Sequence, residues 1–299
     1  MGPLISKIII YIRQKCFIVL LNHPKFVKND KLYVFLFYFL GTGRMLNFKS
    51  PKRYSEKLQL LKIKVNVSPV LGDFVDKLKS RRIVAELIGE KYLNEIYAIF
   101  NNSDEIDFDS FKYPCVIKTT HDSGTVFVLK SSPNFQARYE IKKILDIKLA
   151  QNYFWKGRET PYKYAEAKII CEFFLNEPNY DSPIDYKVYC FNGEIKILQV
   201  SLVKDNRKYV NYYDEYKNPI EIRSGGYDVN TKFVLPSAID EIYKVSKILS
   251  KEFCHIRVDF YYIDGKVLFG EFTFHSDGGL LNFENDNWDF IMGSYIKCF

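Results

Sequence analysis

The residues best suited to chemistry lie near the C-terminal end, in Arg257-Val258-Asp259 and Glu271-Phe272-Thr273. Residues two apart on a strand face the same side, so Arg257 goes with Asp259 and Glu271 with Thr273. Whether the two pairs share a face depends on the turn at Asp264-Gly265. A two-residue turn pairs Ile263 with Lys266 and sends Glu271 to the far side. A three-residue Asp264-Gly265-Lys266 loop sets Asp259 opposite Glu271 and Arg257 opposite Thr273. The longer loop, or an equivalent bulge, is expected, because Ile256, Val258, Phe260, Phe269 and Phe272 need one side for a core. Asp259, Glu271 and Thr273 on one surface would suit Mg²⁺, a hard ion that takes oxygen ligands and keeps phosphates in its shell. An arginine–carboxylate pair on a solvated strand face is the simpler account of the spacing taken alone.

Lys118 ends an apolar run, Cys115-Val116-Ile117, and precedes a polar loop closing in Ser123-Gly124-Thr125. A lysine beside small residues lets backbone N–H groups approach phosphate oxygens. Neither the G-x-x-x-x-G-K-[ST] nor the G-x-G-x-x-G pattern occurs, and an ordinary strand–loop–strand turn explains the segment equally. Cys171-Glu172-Phe173-Phe174-Leu175 ends another apolar strand, whose backbone could hold a purine edge. Asp185-Tyr186-Lys187 opens the next one. Taken alone, both read most simply as structural.

The elements that must position these residues are legible in outline. Ser55–Lys62 reads as a short helix capped by Ser55. A longer one spans about Asp73–Ile88 and stops at Gly89. Residues 101–110 form an acidic loop. Strands are expected at 115–118, 126–130, 168–174, 186–191 and 194–200, and a helix over 134–155. Asn192-Gly193 marks a tight hairpin, since Asn-Gly suits positive φ angles. A helix after Pro236 carries Ile239, Ile242, Val245 and Ile248, and the hairpin 255–274 follows. The class is α+β with mostly antiparallel sheets.

Charge is unevenly spread. The 299 residues carry 43 Lys and Arg against 36 Asp and Glu, a net +7. Residues 1–60 hold eleven basic residues and only Asp30 and Glu56 as acids, which puts that arm at +9 and the rest of the chain at −2. A basic arm on a near-neutral body argues against a nucleic-acid binder. Within the arm, Ile5, Ile8, Ile9, Ile12, Cys16, Val19 and Leu20 follow one helix face. Such a basic amphipathic helix suits an anionic membrane surface and equally a helix packed on the body. Met1-Gly2-Pro3-Leu4-Ile5-Ser6 formally fits a myristoylation pattern, against which Pro3 argues. No apolar run approaches a membrane span; Leu32–Leu40 is the longest. The six cysteines show no C-x-x-C spacing and are expected as buried, reduced thiols.

Two stretches are more specific: Leu46-Asn47-Phe48-Lys49-Ser50-Pro51-Lys52-Arg53-Tyr54-Ser55-Glu56-Lys57-Leu58-Gln59 and Asp185-Tyr186-Lys187-Val188-Tyr189-Cys190-Phe191-Asn192-Gly193. Followed by Arg257-Val258-Asp259 and Gly270-Glu271-Phe272-Thr273-Phe274, they resemble the ATP-grasp superfamily, in particular its TupA-like branch, associated with bacterial cell-surface polysaccharides. That resemblance outweighs the simpler readings above, because several weak motifs occur in the required order. It implies ATP held between two α+β lobes, with a basic helical arm at 1–53. The N-terminal lobe would span 54–112, the small central lobe 113–167, and the C-terminal lobe with the Mg²⁺ site 168–299.

The resemblance also implies roles. Lys77, after Asp76, and Lys118 would reach the nucleotide phosphates under a loop of His121, Ser123, Gly124 and Thr125. Glu172, Phe173, Phe174 and Leu175 would form the adenine hinge. Asp185 would meet the ribose, with Lys187 nearby. Asp259, Glu271 and Thr273 would hold Mg²⁺, and Arg257 the transferred phosphoryl group, with Arg207 or Lys208 at the γ-phosphate. Two departures stand out: Thr273 where asparagine is common, and an apparent shift at Asp205-Asn206-Arg207-Lys208, with Val210 where a basic residue is expected. The implied reaction is carboxylate–amine ligation through an acyl phosphate. It would join an amine or amino acid to a uronic acid carboxyl of a capsular or O-antigen saccharide, in the cytoplasm or on the inner membrane face. Alternatives are a ligase building an acidic polypeptide, a phosphotransferase, and a non-catalytic membrane-associated assembly protein. His121, His275 and Asp277 are candidates for the base.

Overall fold

A computed structural model describes residues 3–299, so the acylation pattern at Met1-Gly2 lies outside the described residues. The helices in chain order are α1 (Pro3–Asn22), α2 (Asp30–Thr42), α3 (Tyr54–Leu60), α4 (Gly72–Val75), α5 (Lys79–Ile88), α6 (Phe135–Leu149), α7 (Phe154–Gly157), α8 (Ile239–Ser250) and α9 (Asn287–Tyr295). The strands are β1 (Ile96–Phe100), β2 (Cys115–Thr119), β3 (Val126–Leu129), β4 (Ile169–Phe173), β5 (Asp185–Phe191), β6 (Glu194–Lys204), β7 (Arg207–Asp214), β8 (His255–Ile263) and β9 (Lys266–Thr273).

Two antiparallel sheets organise them. The smaller has the order β1-β4-β2-β3 and the larger β7-β6-β5-β8-β9. The expected α+β class with antiparallel sheets holds. The lobe limits are drawn differently, because β1 and β4, which the sequence reading put into the flanking lobes, both pair into the small sheet. Ile117, Ile169, Cys171 and Leu145 form the core beneath that sheet. Val188, Leu198, Ile256, Val258 and Phe272 join α8 residues Ile242 and Val245 in the core of the larger one. Ile248 stays partly exposed on the other side of α8.

Three local expectations change. The helix over 73–88 is broken after Val75, because the buried Asp76 carboxylate turns back on Leu78 N and Lys79 N (2.9 and 3.1 Å) and also accepts from Glu166 N (2.9 Å). Ser55 is inside α3 rather than its cap. Its N–H and hydroxyl donate to Asp289 of α9 (2.8 and 2.7 Å). Glu56 instead holds the helix start, accepting from the backbone of Asn47, Lys52 and Arg53. The family-like stretch 46–59 is therefore a structural staple. Finally, Cys254 and Cys298 form a disulfide, against the expectation of reduced thiols throughout; the tail after α9 returns to the start of β8, a proximity that a separation of 44 residues does not announce. Cys115, Cys171 and Cys190 are buried and free, while Cys16 is exposed.

The arm is only partly attached. Phe17, Leu20 and Leu21 of α1 pack on Tyr33 and Phe37 of α2. Of the face predicted from periodicity only Leu20 is buried: Ile5, Ile8, Ile9, Ile12 and Val19 are 47–59% exposed, and Ile10, Tyr11 and Ile18 outside that face are exposed as well.

Candidate active site

The β8–β9 hairpin sets the site. Its turn is the two-residue Asp264-Gly265, pairing Ile263 with Lys266, so the longer loop is absent. A bulge at Gly270 restores the expected register: Phe260 faces Phe269, then Asp259 faces Glu271 and Arg257 faces Thr273. Gly270 suits the bulge, since a Cβ there would lie 3.1 Å from the Asp259 carbonyl. β5 lies on the other side of β8 and places Lys187 opposite Asp259.

These side chains form one charged cluster. Arg257 donates from Nε and Nη2 to the two oxygens of Asp259 (2.7 and 2.6 Å), a bidentate pair. Its Nη2 also reaches Thr273 Oγ1 (3.1 Å) and Glu271 Oε1 (3.4 Å). Lys187 Nζ lies 3.2 Å from Asp259 and 3.3 Å from Asp185. Burial alone would raise the Asp259 carboxyl, but Arg257 and Lys187 override it and hold it below its usual range. Burial would likewise lower Lys187 and Arg257, and Asp259 raises both.

The small sheet supplies the opposite wall. Lys118 on β2 and Glu172 on β4 sit on one face and pair at 2.6 Å, with Arg81 of α5 3.9 Å from the same carboxylate. The break at Asp76 turns Lys77 inward; its N–H donates to Thr120 O (3.0 Å) and its ammonium to Thr119 O (3.0 Å) and Asp122 O. Burial lowers the Lys77 pKa, opposed chiefly by Glu271. Thr119 and Thr125 hydroxyls both donate to the Asp122 carboxylate, which closes the loop so that Ser123 and Gly124 stay exposed at its tip. Gly124 has φ +98°, with open space where a Cβ would be.

Between the walls lies a cavity of about 280 Å³. Lys77, Lys118 and Lys187 line it, with Ser123, Gly124, Glu172, Leu175, Asp185, Asp259 and Glu271. Sequence reasoning missed Arg81, Asn94 and Tyr261, which also line it. Tyr261 had a signal, being two residues beyond Asp259 on one strand; Arg81 and Asn94 had none, since tertiary packing brings them in. A second cavity of about 400 Å³ adjoins it, lined by Arg257, Thr273, Glu159, His275 and Asp277. Ser123 and Glu271 line both.

Six expected residues are placed elsewhere. Arg207 and Lys208 start the edge strand β7, three positions from β8, after an Asp205-Asn206 turn; both are exposed, and Lys208 lies over the Tyr227 ring (4.3 Å). The basic pattern there serves a hairpin. His121 is buried with Nε2 donating to the Lys148 and Gln151 carbonyls (3.0 and 3.1 Å), which removes it both as a nucleotide ligand and as a base. Thr125 is engaged with Asp122 and shapes the loop from behind. Phe173 faces away, and its backbone N–H and C=O are already bonded to Glu95 O and Asn94 Nδ2 (both 2.9 Å). Phe174 is half-buried and outside the cavity wall, so only Glu172 and Leu175 of the hinge segment line it. Among the base candidates, His275 and Asp277 line the second cavity; His275 Nδ1 lies 3.3 Å from Glu159, a residue the sequence did not single out. Burial lowers the His275 pKa, with Glu159 opposing it.

The donor chemistry fits Mg²⁺: Asp259, Glu271 and Thr273 supply hard oxygens on one surface. Arg257 Nη2, however, contacts all three, so an ion shared among them would take over its position. Among the described residues, no three His, Cys, Asp or Glu side chains gather as a metal cluster.

Two antiparallel sheets enclosing a lysine-lined cleft, closed by a Ser-Gly loop and a carboxylate hairpin, define an ATP-grasp fold. The family model of the TupA-like ATPgrasp proteins matches residues 56–297. The chain belongs to that family. Among curated proteins none matches. Solved structures it is similar to include D-alanine-D-alanine ligase from Helicobacter pylori, at 13% identity and TM-score 0.39, covering 75% of this chain and 61% of that one. The Bacillus anthracis D-alanine-D-alanine ligase complexed with ATP is 13% identical, with TM-score 0.42, over 68% of this chain and 55% of that one. An Aspergillus clavatus N5-carboxyaminoimidazole synthase in complex with ADP is 10% identical, with TM-score 0.40, over 74% and 50%. The chain thus spans about half to three-fifths of these enzymes' lengths.

Proposed function

We propose that this protein is an ATP-dependent carboxylate–amine ligase that works through an acyl phosphate. The observation that carries the reading is the meeting of two cavities at Glu271 and Ser123, one lined by Lys77, Lys118 and Lys187, the other by Arg257 and the Glu159–His275 pair. ATP in the first cavity would have its phosphates against the lysines and the exposed Ser123-Gly124 tip. An acceptor carboxylate in the second would lie beside Arg257. Its oxygen attacks the γ-phosphorus and ADP leaves; an amine then attacks the acyl carbon and phosphate leaves. Phosphoryl transfer needs positioning and charge neutralisation rather than a protein nucleophile. Arg257 would hold the transferred group, freed from Asp259 and Glu271 as these take the metal. Bound Mg²⁺, held by Asp259, Glu271 and Thr273, would neutralise phosphate charge. Glu159, in the wall of the second cavity, would take the amine's proton, with His275, held by Asn66 (3.3 Å), positioned behind it.

For the substrates we propose, on the family's association, a uronic acid carboxyl of a cell-surface saccharide and an amino acid or other amine. The test is incubation with Mg-ATP, uronic acid derivatives and an amine panel, following ADP and amide mass together. Equimolar ADP and amide are expected, with Glu271→Gln slower by about 10²-fold or more. ADP without amide, or equal turnover in the variant, would refute the ligase reading.

A further inference from the structure

Helix α1 has two faces with different fates. Phe17, Leu20 and Leu21 fasten its C-terminal half to α2, and Phe17 and Leu21 also wall the second cavity. Away from these contacts, Ile5, Ile8, Ile9, Ile12 and Val19 form an apolar stripe about 20 Å long with no partner among the described residues, and Ile10, Tyr11 and Ile18 (45–60%) are exposed beside it. Isolated exposed apolar side chains are ordinary; five on one stripe of a helix are not. The charge around the stripe is one-sided. Lys7 and Lys15 lie exposed on α1, while Arg13 packs against Gly43, and no acidic residue occurs before Asp30. The turn after α1 adds Phe26, 82% exposed, between Lys25 and Lys28. No described helix is long and apolar enough to cross a membrane.

We infer that α1 lies in the plane of an anionic lipid bilayer, its isoleucine stripe at the acyl boundary and its lysines among the headgroups. A second copy of the chain fits less well, because it would set two such basic segments against each other.

The test uses the full chain and vesicles, and reads binding without turnover, so it stands or falls apart from the ligase reading. Co-sedimentation is expected with phosphatidylglycerol-containing vesicles and not with pure phosphatidylcholine, weakening between about 0.1 and 0.5 M salt. The combined variant Ile5→Ser, Ile9→Ser, Ile12→Ser, which leaves the charge unchanged, should bind these vesicles at least about tenfold more weakly. Lys7→Gln with Lys15→Gln should weaken binding too. An unchanged melting temperature shows that the body of each variant is intact. Equal binding to neutral vesicles, unchanged binding by both variants, or a dimer in sedimentation velocity that the serine variant dissolves would overturn the inference.

Discussion

Arg257 Nη2 touches Asp259, Glu271 and Thr273 at once, and the next strand adds Lys187 to the same carboxylate. Removing either partner of such a buried pair strands a charge, which is why single changes here should act on function more than their contacts suggest. A second buried group makes a prediction about stability. His255 donates from Nδ1 to Cys190 O (3.1 Å) and its Nε2 accepts from the Tyr54 hydroxyl (3.0 Å). Burial pushes its pKa down from 6.5 to about 3. The unfolded chain therefore takes up a proton between those values that the folded chain refuses, and the stabilisation is lost as pH falls from about 6.5 towards 3. Denaturant titrations at pH 7, 5.5 and 4.5 should show this decline; His255→Gln, which does not titrate, should have a shallower one.

Two irregularities in otherwise regular elements place the site. One is the Gly270 bulge, which turns Glu271 to the side of Asp259 while the rest of β9 keeps Phe269 and Phe272 in the core. The other is the break between α4 and α5, where Asp76 accepts three backbone N–H bonds and Lys77 turns into the cleft. A carboxylate bonded this way substitutes for the helical bonds that the break forfeits. Asp76→Ala should lower unfolding free energy by about 2 kcal/mol or more, since buried donors lose a charged acceptor. Thermal denaturation measures it, and weaker Mg-ATP binding should accompany it as Lys77 loses its fixed position.

At the scale of the molecule, Arg158 is one of the residues that fasten the arm to the body, beside the Arg44 and Arg53 pairs with Asp286 and the Tyr33 hydroxyl on Lys156 O. Arg158 is fully buried; it donates to Asp30 (2.7 Å) and to the carbonyls of Pro24, Val27 and Trp155 (2.8–2.9 Å), with Tyr33 and Trp155 rings against the guanidinium. Lysine cannot reproduce this planar fork. Arg158→Lys should cost about 2–3 kcal/mol, since carbonyls that now accept from the guanidinium would lose their donor. Limited proteolysis should then cut residues 22–30 first, with the 56–297 body resistant; a variant cut no faster than wild type would show that the other contacts suffice to hold the arm.

The sequence by itself determined the antiparallel α+β class, the core pattern of both hairpins and the grouping of Arg257, Asp259, Glu271 and Thr273. All of these are local: side-chain alternation, an Asn-Gly or Asp-Gly turn, and the need of five apolar residues for one face fix them within about twenty residues of chain. Even the bulge was legible as a requirement, though its position at Gly270 was not. Beyond Lys77, Lys118 and Lys187, which the family resemblance named, tertiary structure decided which basic residues meet the cleft. Arg81 and Asn94 arrive by packing, while Arg207 and Lys208 are carried to the far edge by strand order, which no local pattern encodes. The same reason explains His121, whose partners lie on the helix after its loop, and the Cys254–Cys298 bond. It also explains α1: periodicity found its apolar face, but only the packed body showed that Leu20 alone of that face is buried, with Phe17 and Leu21 beside it.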